Sequence, residues 1–391
     1  MVRSTVAHVD LAALQHNFTA IQTFLRQQDA ARTPPDVIAV VKANAYGHGA
    51  DRVALALEQA GAAMLACADI EEGVVLRRAG VRVPILVFGA LSVSDLDGIF
   101  EFGLTPTISS PSAAKAVQAA ASKRAVTIGY HLKIDTGMNR LGFRHDNVGR
   151  TLPPVIASPN LRLDAVFTHF ASADLPESTL LETQRERFEG ATGVVGTLAQ
   201  GAVRRHACNS AALLRDSRVW YDAVRPGLLL YGIVPPPLAT NIPLRPVMSL
   251  TSRVTAVKGL RPGEGVGYGW RFEAETPRSI AVVPAGYADG LDTRLGGRGS
   301  VLIRGHRVPV VGAVSMDMIT VDVTGLDDVV PGDEVVILGE QGGESWQRID
   351  AREMAASIGT IPWEIVCRLG TRVERQYTDD EAGLKTRSHA R

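Results

Sequence analysis

The stretch from Val37 to Ala68 reads VIAVVKANAYGHGADRVALALEQAGAAMLACA. It opens with an apolar, β-branched run, Val37–Ala43, and closes with another, Met64–Ala68. Between them Asp51–Ala60 has helical period and stops at Gly61. This is a strand, a helix and a strand, the unit of a parallel sheet. Outward from it the pattern repeats. Further short apolar runs are Pro84–Gly89, Thr105–Ser109, Ile128–Asp135, Leu163–Phe170, Val203–Cys208 and Ala223–Pro226. Helical segments separate many of them. Asp69–Ala79 has the capping-box spacing of Asp69 and Glu72, Ser110–Arg124 carries Pro111 at its first turn, and Thr179–Leu198 is long and amphipathic. Asp10–Leu25 is a further helix ahead of the first strand. Eight buried strands separated by helices predict a (β/α)8 TIM-type barrel of about 250 residues rather than an open sheet.

The texture changes near Pro235–Pro237. Beyond it helical period is nearly absent until Asp350–Ile358. Strands broken by turn chemistry take its place: Ser252–Val257, Ser279–Val283, Gly299–Ile303, Val308–Val314, Met318–Val323 and Glu334–Leu338. Turns are marked by Arg261-Pro262-Gly263, Pro331-Gly332-Asp333 and Gly342-Gly343. The expected organisation is therefore a barrel over residues 1–240 and a C-terminal, mainly-β domain over 241–391, with a polar tail that frays from Thr378.

Composition narrows the function classes. The 41 Lys and Arg balance 41 Asp and Glu, so no basic face is expected for nucleic acid and no polybasic anchor for a membrane. With 46% apolar and 21% charged residues the chain is globular, yet no run approaches the roughly 18 apolar residues of a membrane span. Met1 to Asp10 lack the apolar centre of a secretory signal, which leads us to expect a cytoplasmic protein. Cys67, Cys208 and Cys367 form no Cys-x-x-Cys pair, so neither a disulfide framework nor a zinc site is expected.

In a barrel the chemistry sits at the C-terminal ends of the strands. Lys42 ends the first apolar run, where it is either a snorkelling side chain or an amine facing a cavity. In the second case desolvation lowers its pKa and lets it form a Schiff base with a carbonyl. The fifth strand ends in Lys133-Ile134-Asp135-Thr136-Gly137-Met138-Asn139-Arg140-Leu141-Gly142, either a surface ion cluster or a loop that receives an anion on the Arg140 fork. The sixth ends in Thr168-His169-Phe170, where the histidine is a core residue or a site residue. The seventh gives His206-Ala207-Cys208-Asn209-Ser210 and the eighth Arg225-Pro226-Gly227-Leu228. Ser210 with the bare backbone of Gly227 and Leu228 suits a phosphate, a recurring use of the last two strands of this fold. In the second domain Gly263-Glu264-Gly265-Val266-Gly267-Tyr268-Gly269-Trp270 is a flexible hairpin or a loop that projects Tyr268.

Together these motifs resemble one family, the pyridoxal-phosphate-dependent alanine racemases. The resemblance covers nearly the whole chain. It rests on Val40 to Gly49, Lys133 to Gly142, Thr168 to Asp174, Asn209-Ser210-Ala211-Ala212, Arg225-Pro226-Gly227, Gly286-Tyr287-Ala288-Asp289-Gly290 and Ser315-Met316-Asp317. It implies pyridoxal 5'-phosphate as cofactor, held by Lys42, and two catalytic bases, Lys42 and Tyr268. It further implies a homodimer in which Tyr268 and Met316 come from the other subunit. His169 and Arg225 match the relay behind the tyrosine, and Arg225 also the group facing the pyridine nitrogen. Tyr46, Ser210, Gly227 and Leu228 match the phosphate cradle, Arg140 and Met316 the contacts to the substrate carboxylate. Lys133 matches a lysine that is carbamylated in some members. The implied role is interconversion of L- and D-alanine, supplying D-alanine for peptidoglycan.

One position departs from the pattern. Trp363 stands before Glu364 where many members have tyrosine, so no phenol is offered to the phosphate there. Two alternatives stay open at this point. One is a racemase of the same fold acting on lysine or serine, since a methylene difference is worth only about 1–3 kcal/mol. The other is a carrier of the cofactor without turnover.

Overall fold

The structure, a computed structural model, describes residues 4–28, 33–91, 96–342 and 346–379. The turn signal at Gly343 and the tail beyond Asp379 lie outside the described residues. The described chain divides into two compact units. One comprises Gln15–Ala45 and Ala50–Leu244; the other comprises residues 4–14, Tyr46–Gly49 and residues 245–379.

The first unit is a closed barrel. Its strands are Asp36–Val40, Met64–Cys67, Ile85–Val87, Thr105–Ile108, Ile128–Asp135, Leu161–Phe167, Arg204–His206 and Ala223–Val224. Each pairs in parallel with the next in chain order, and the last returns to the first, so the ring of eight among the described residues has no open edge. A two-residue strand, Phe143–Arg144, lies beside the fifth. The expected strands recur with trimmed ends. The first stops at Val40 because the chain turns left-handed from Ala43. The last stops at Val224, close to Pro226, which has no N–H for the ladder.

The helices follow their sequence signals. Ile70–Arg78 is capped by the Asp69 carboxylate, which accepts from Glu72 N at 2.8 Å. Pro111–Lys123 starts at Ser110, whose hydroxyl accepts from Ala113 N at 3.1 Å. Leu180–Ala199 buries Leu181, Gln184, Phe188, Ala191 and Val195, a stripe at helical spacing. Phe188 is fully buried, and that burial alone stabilises by about 1.5–3 kcal/mol.

The second unit is a mainly antiparallel sheet. In spatial order its strands are Ala256–Leu260, Arg278–Val283, Ile319–Asp322, His306–Val311, Ser300–Ile303, Glu334–Gln341, Met248–Arg253, Val6–Asp10 and Glu374–Thr378, with Gln347–Ile349 on Glu334–Gln341. The single strand expected at Ser252–Val257 is two strands. The break falls where Val254 N donates to Asp333 O and Thr255 N to Val282 O, so the chain changes partner there. Val6–Asp10 and Glu374–Thr378 pair in parallel and have no counterpart in the sequence reading, because both are short and interrupted by polar residues. Helix Ala351–Ile358 is capped by Asp350; the six-residue helix Pro362–Cys367 is too short to show a period. Among the described residues no helix is long and apolar enough to cross a membrane, and no three His, Cys, Asp or Glu are grouped to hold a metal.

Candidate active site

All eight parallel strands end on the same side of the ring, so residues just past those ends converge. Lys42 follows the first strand, which is held between its neighbours by Val40 N to Pro226 O and Val41 N to Ala66 O. Ala43, Asn44, Ala45 and Tyr46 then all have φ between 52° and 54°. Four consecutive non-glycine residues in the left-handed region store strain, which persists only where the surroundings over-determine it. Here Ala43 N donates to Glu72 Oε1 at 2.6 Å and Ala50 N to Asn44 Oδ1 at 2.8 Å. Glu72 also takes Ala68 N at 2.7 Å. Its carboxylate is therefore spent on clamping the turn after Lys42 rather than on closing a capping box.

Lys133, His169 and Arg225 form the polar centre. Lys133 is buried on the fifth strand, and burial, then Arg140 and Arg225, push its amine down to about 8. His169 is held well below the usual imidazole value, first by burial and then by Arg225, Lys133, Lys42 and Arg140. Arg225, 3% exposed, donates to Thr168 O at 2.8 Å, Ala207 O at 3.0 Å, His206 Nδ1 at 2.8 Å and His169 Nδ1 at 3.4 Å. Burial lowers its guanidinium only to about 10, so it stays charged at neutral pH. His206 in turn meets His131, Nε2 to Nδ1, at 2.9 Å. Phe167 is the floor under this group. Its ring stacks on His206 at 4.8 Å and lies 5.4 Å from the Arg225 guanidinium and 5.6 Å from the Lys133 amine.

Arg140 is exposed in a loop organised by Asp135, whose Oδ1 accepts from Gly137 N and Asn139 N at 3.0 Å. Gln184, fully buried on the long helix, pins the strand ends. It donates to Thr136 Oγ1 and His169 O at 3.0 Å and accepts from Ala171 N at 2.9 Å. Ser210 starts a short helix capped by Asn209. Its hydroxyl accepts from Gly227 N at 3.0 Å and Leu229 N at 3.4 Å.

The second unit carries three of the expected site residues. The hairpin 264–274 is closed by Val266 N to Phe272 O and Ala274 N to Glu264 O. Val266 is buried against Ile280, Val311 and Phe272 and anchors it. Gly267 and Gly269 flank Tyr268 at φ 66° and 69°, a conformation costly for other residues, and the tyrosine is 78% exposed. Met316 is half exposed; its carbonyl accepts from Ala288 N at 3.1 Å, and that of Ser315 accepts from Tyr287 N at 3.0 Å. A Cβ on Gly286 would strike the Met316 carbonyl, so glycine is required where the two motifs meet. Tyr46 adopts φ 53°, and burial pushes its phenol up, which keeps it a hydrogen-bond donor at neutral pH. Within the same unit Arg375 donates to Gly47 O at 3.1 Å.

The structure thus gathers Lys42, Lys133, Arg140, His169, Ser210, Arg225, Gly227 and Leu228 in the barrel unit, and Tyr46, Tyr268 and Met316 in the other. Four roles were not read from the sequence: His131, Phe167, Gln184 and the turn clamp of Glu72. His131 was findable, because it lies two residues before Lys133 on one strand and so on the same face.

These residues fit pyridoxal phosphate by their donor chemistry. Two backbone amides converge on one acceptor oxygen at Ser210, as they would on a phosphate oxygen. Arg140, Arg225, Lys133 and Lys42 all act on His169, a cationic surround suited to an anionic occupant.

Comparison with known proteins gives one answer. Residues 9–235 match the family model described as alanine racemase, N-terminal domain, and residues 247–377 that of the C-terminal domain. An alanine racemase of Halothermothrix orenii is 38% identical over 98% of this chain and 99% of its own length. The alanine racemase of Bacillus anthracis, solved with bound L-Ala-P, matches at a TM-score of 0.88 and 33% identity, over 97% of this chain and 96% of that one. That of Bartonella henselae, with covalently bound pyridoxal phosphate, matches at 0.84 and 29%, over 96% of this chain and 99% of that one.

Proposed function

The chain belongs to the alanine racemase family and is a pyridoxal-phosphate-dependent isomerase of alanine, and from that premise we propose the residues that carry the reaction. When bound, the cofactor acidifies the bond between the substrate α-carbon and its hydrogen by drawing electron density into its ring. Racemisation needs a base on each side of that bond, because a single fixed group returns the proton to the face it left. Lys42 Nζ would hold the cofactor covalently and move the proton on one face. Tyr268 Oη moves it on the other.

A tyrosine with the ordinary pKa of about 10 is a weak base at neutral pH, so its anion needs help. His169 and Arg225 supply it. Arg225 can only donate, so His169 Nδ1 accepts and its remaining proton sits on Nε2, a donor for the phenolate. The imidazole stays neutral and transmits the arginine charge without taking the proton itself. Arg225 would also face the pyridine nitrogen, where it would donate while staying protonated and so limit charge withdrawal into the ring, which disfavours transamination. Tyr46, Ser210, Gly227 and Leu228 bind the phosphate; Arg140 and the Met316 backbone bind the substrate carboxylate. A carbamate on Lys133 gives Arg140 its anionic partner.

Tyr268 and Met316 are supplied to the site by the partner subunit of a homodimer. Support comes from the second unit, where Tyr268, Trp270, Tyr287, Met316 and Met318 are all at least 45% exposed, an apolar surface that a second chain would cover. The enzyme works in the cytoplasm and supplies D-alanine for peptidoglycan.

The observation that carries the assignment is Arg225, buried at the strand ends and donating to His169 Nδ1 at 3.4 Å, His206 Nδ1 at 2.8 Å and Thr168 O at 2.8 Å. Hydrogen exchange at the α-carbon in deuterated water, run with several L- and D-amino acids, tests it. Exchange with alanine is expected. Exchange with lysine or serine instead would sink the substrate, and none at all with cofactor bound would favour a carrier. Tyr268→Phe should slow turnover selectively from L-alanine. Mixing Lys42→Ala with Tyr268→Phe subunits should restore activity if sites are shared.

A further inference from the structure

The chain His131–His206–Arg225 has a direction, and the direction can be read from donor counting. Arginine has no lone pair, so His206 Nδ1, 2.8 Å from Arg225 Nη1, must be the bare nitrogen of its ring. The single ring proton of neutral His206 is then on Nε2 and points at His131 Nδ1, 2.9 Å away. His131 Nδ1 accepts it. Both rings are buried and both are kept neutral: His206 is held well below the imidazole range, and His131 falls to about 4, in each case first by burial. The Phe167 ring, nearly parallel to His206 at 10°, fixes its plane. The His206 ring therefore has one remaining freedom, which of its nitrogens carries the proton.

We propose that His131 is a positioning residue that sets this choice: by accepting from His206 Nε2 it keeps His206 Nδ1 as the acceptor that aims Arg225. With no acceptor at position 131 the buried Nε2–H of His206 loses its partner. The alternative tautomer then becomes competitive, and it sets an N–H against the N–H of Arg225. The arginine keeps its bonds to Thr168 O and Ala207 O but loses the contact that fixes its third direction. The inference rests on the reading of Arg225 as the group facing the cofactor ring.

Two substitutions separate an acceptor from mere bulk. His131→Asn offers an amide oxygen near the place of Nδ1; His131→Leu fills space without one. The readouts are the ring nitrogen resonances of 15N-histidine-labelled holoenzyme, the absorption band of bound pyridoxal phosphate, and the affinity of the apoenzyme for it. In the wild type His206 should carry its proton on Nε2. In His131→Leu it should move towards Nδ1–H, with the band shifted and affinity lowered on the order of tenfold, the weight of one buried hydrogen bond. His131→Asn should resemble the wild type in all three. A wild-type His206 protonated on Nδ1 overturns the proposal, even if neither variant folds. So does an unchanged tautomer in His131→Leu, a switched tautomer with unchanged band and affinity, or an Asn variant that behaves like Leu. An Arg225→Lys variant whose band matches the wild type would instead sink the assignment of Arg225 and leave the tautomer result standing.

Discussion

Carbamylation of Lys133 is a prediction that can be worked from its surroundings. The nucleophile towards carbon dioxide is the neutral amine: its nitrogen forms the new bond to carbon and one proton leaves. With the ordinary lysine value of 10.5, roughly 0.1% of the amine is neutral at pH 7.5. With the value of about 8 set by burial, Arg140 and Arg225, about a quarter is neutral, a gain of roughly 200-fold. The product is an anion placed where those cations had repelled a cation, so the same neighbours that free the amine stabilise the carbamate. Holoenzyme equilibrated with 13C-bicarbonate near pH 8 should show one carbamate carbon resonance that is absent from Lys133→Ala. The Ala variant should also raise KM for alanine on the order of tenfold, since the carbamate no longer supports Arg140. A wild-type spectrum identical to that of Lys133→Ala would refute the reasoning.

Three other outcomes are expected. Asp292 is held by Arg294 and Arg368 and its carboxyl falls to about 2 from 3.8, so its stabilisation is complete above pH 3.8 and is lost as pH falls through about 2. Asp292→Asn should therefore cost about 2 kcal/mol at pH 7 and flatten the acid limb, measured by urea titration at several pH values. Gln184→Leu leaves buried groups at His169 and Ala171 without their partner and should destabilise by about 2–4 kcal/mol, read from the urea midpoint. Gly286→Ala forces the 286–290 loop away from the Met316 carbonyl and should destabilise by about 1–3 kcal/mol, with KM for alanine raised.

The barrel was legible because its signals are local and repeated. Each apolar run is bounded by a turn, and each helix is announced by a cap such as Asp69 or Ser110. Strands Val6–Asp10 and Glu374–Thr378 were not legible, since they pair with each other, and Val6–Asp10 also with Met248–Arg253, at separations no window spans. Lys42 and Arg225 could be marked by standing at the ends of apolar runs. Glu72 could not be marked for its clamp: its spacing from Asp69 spells a helix start equally well, and only the left-handed turn at Ala43 claims its carboxylate. His131 was masked by reading its strand for charge, when the face it shares with Lys133 is what matters.

The pairing of Val6–Asp10 with Met248–Arg253 and Glu374–Thr378 has a consequence for synthesis. A chain emerging from the ribosome can close the ring of strands 36 to 224 from sequence already made. Its first strand has no such option. It must wait for partners made later, Met248–Arg253 roughly 10 to 50 s and Glu374–Thr378 roughly 20 to 70 s afterwards at 5–20 residues per second. Until the first of them emerges an unpaired strand is tethered at the front of a folded barrel, and truncation before residue 374 would leave one of its two edges open permanently.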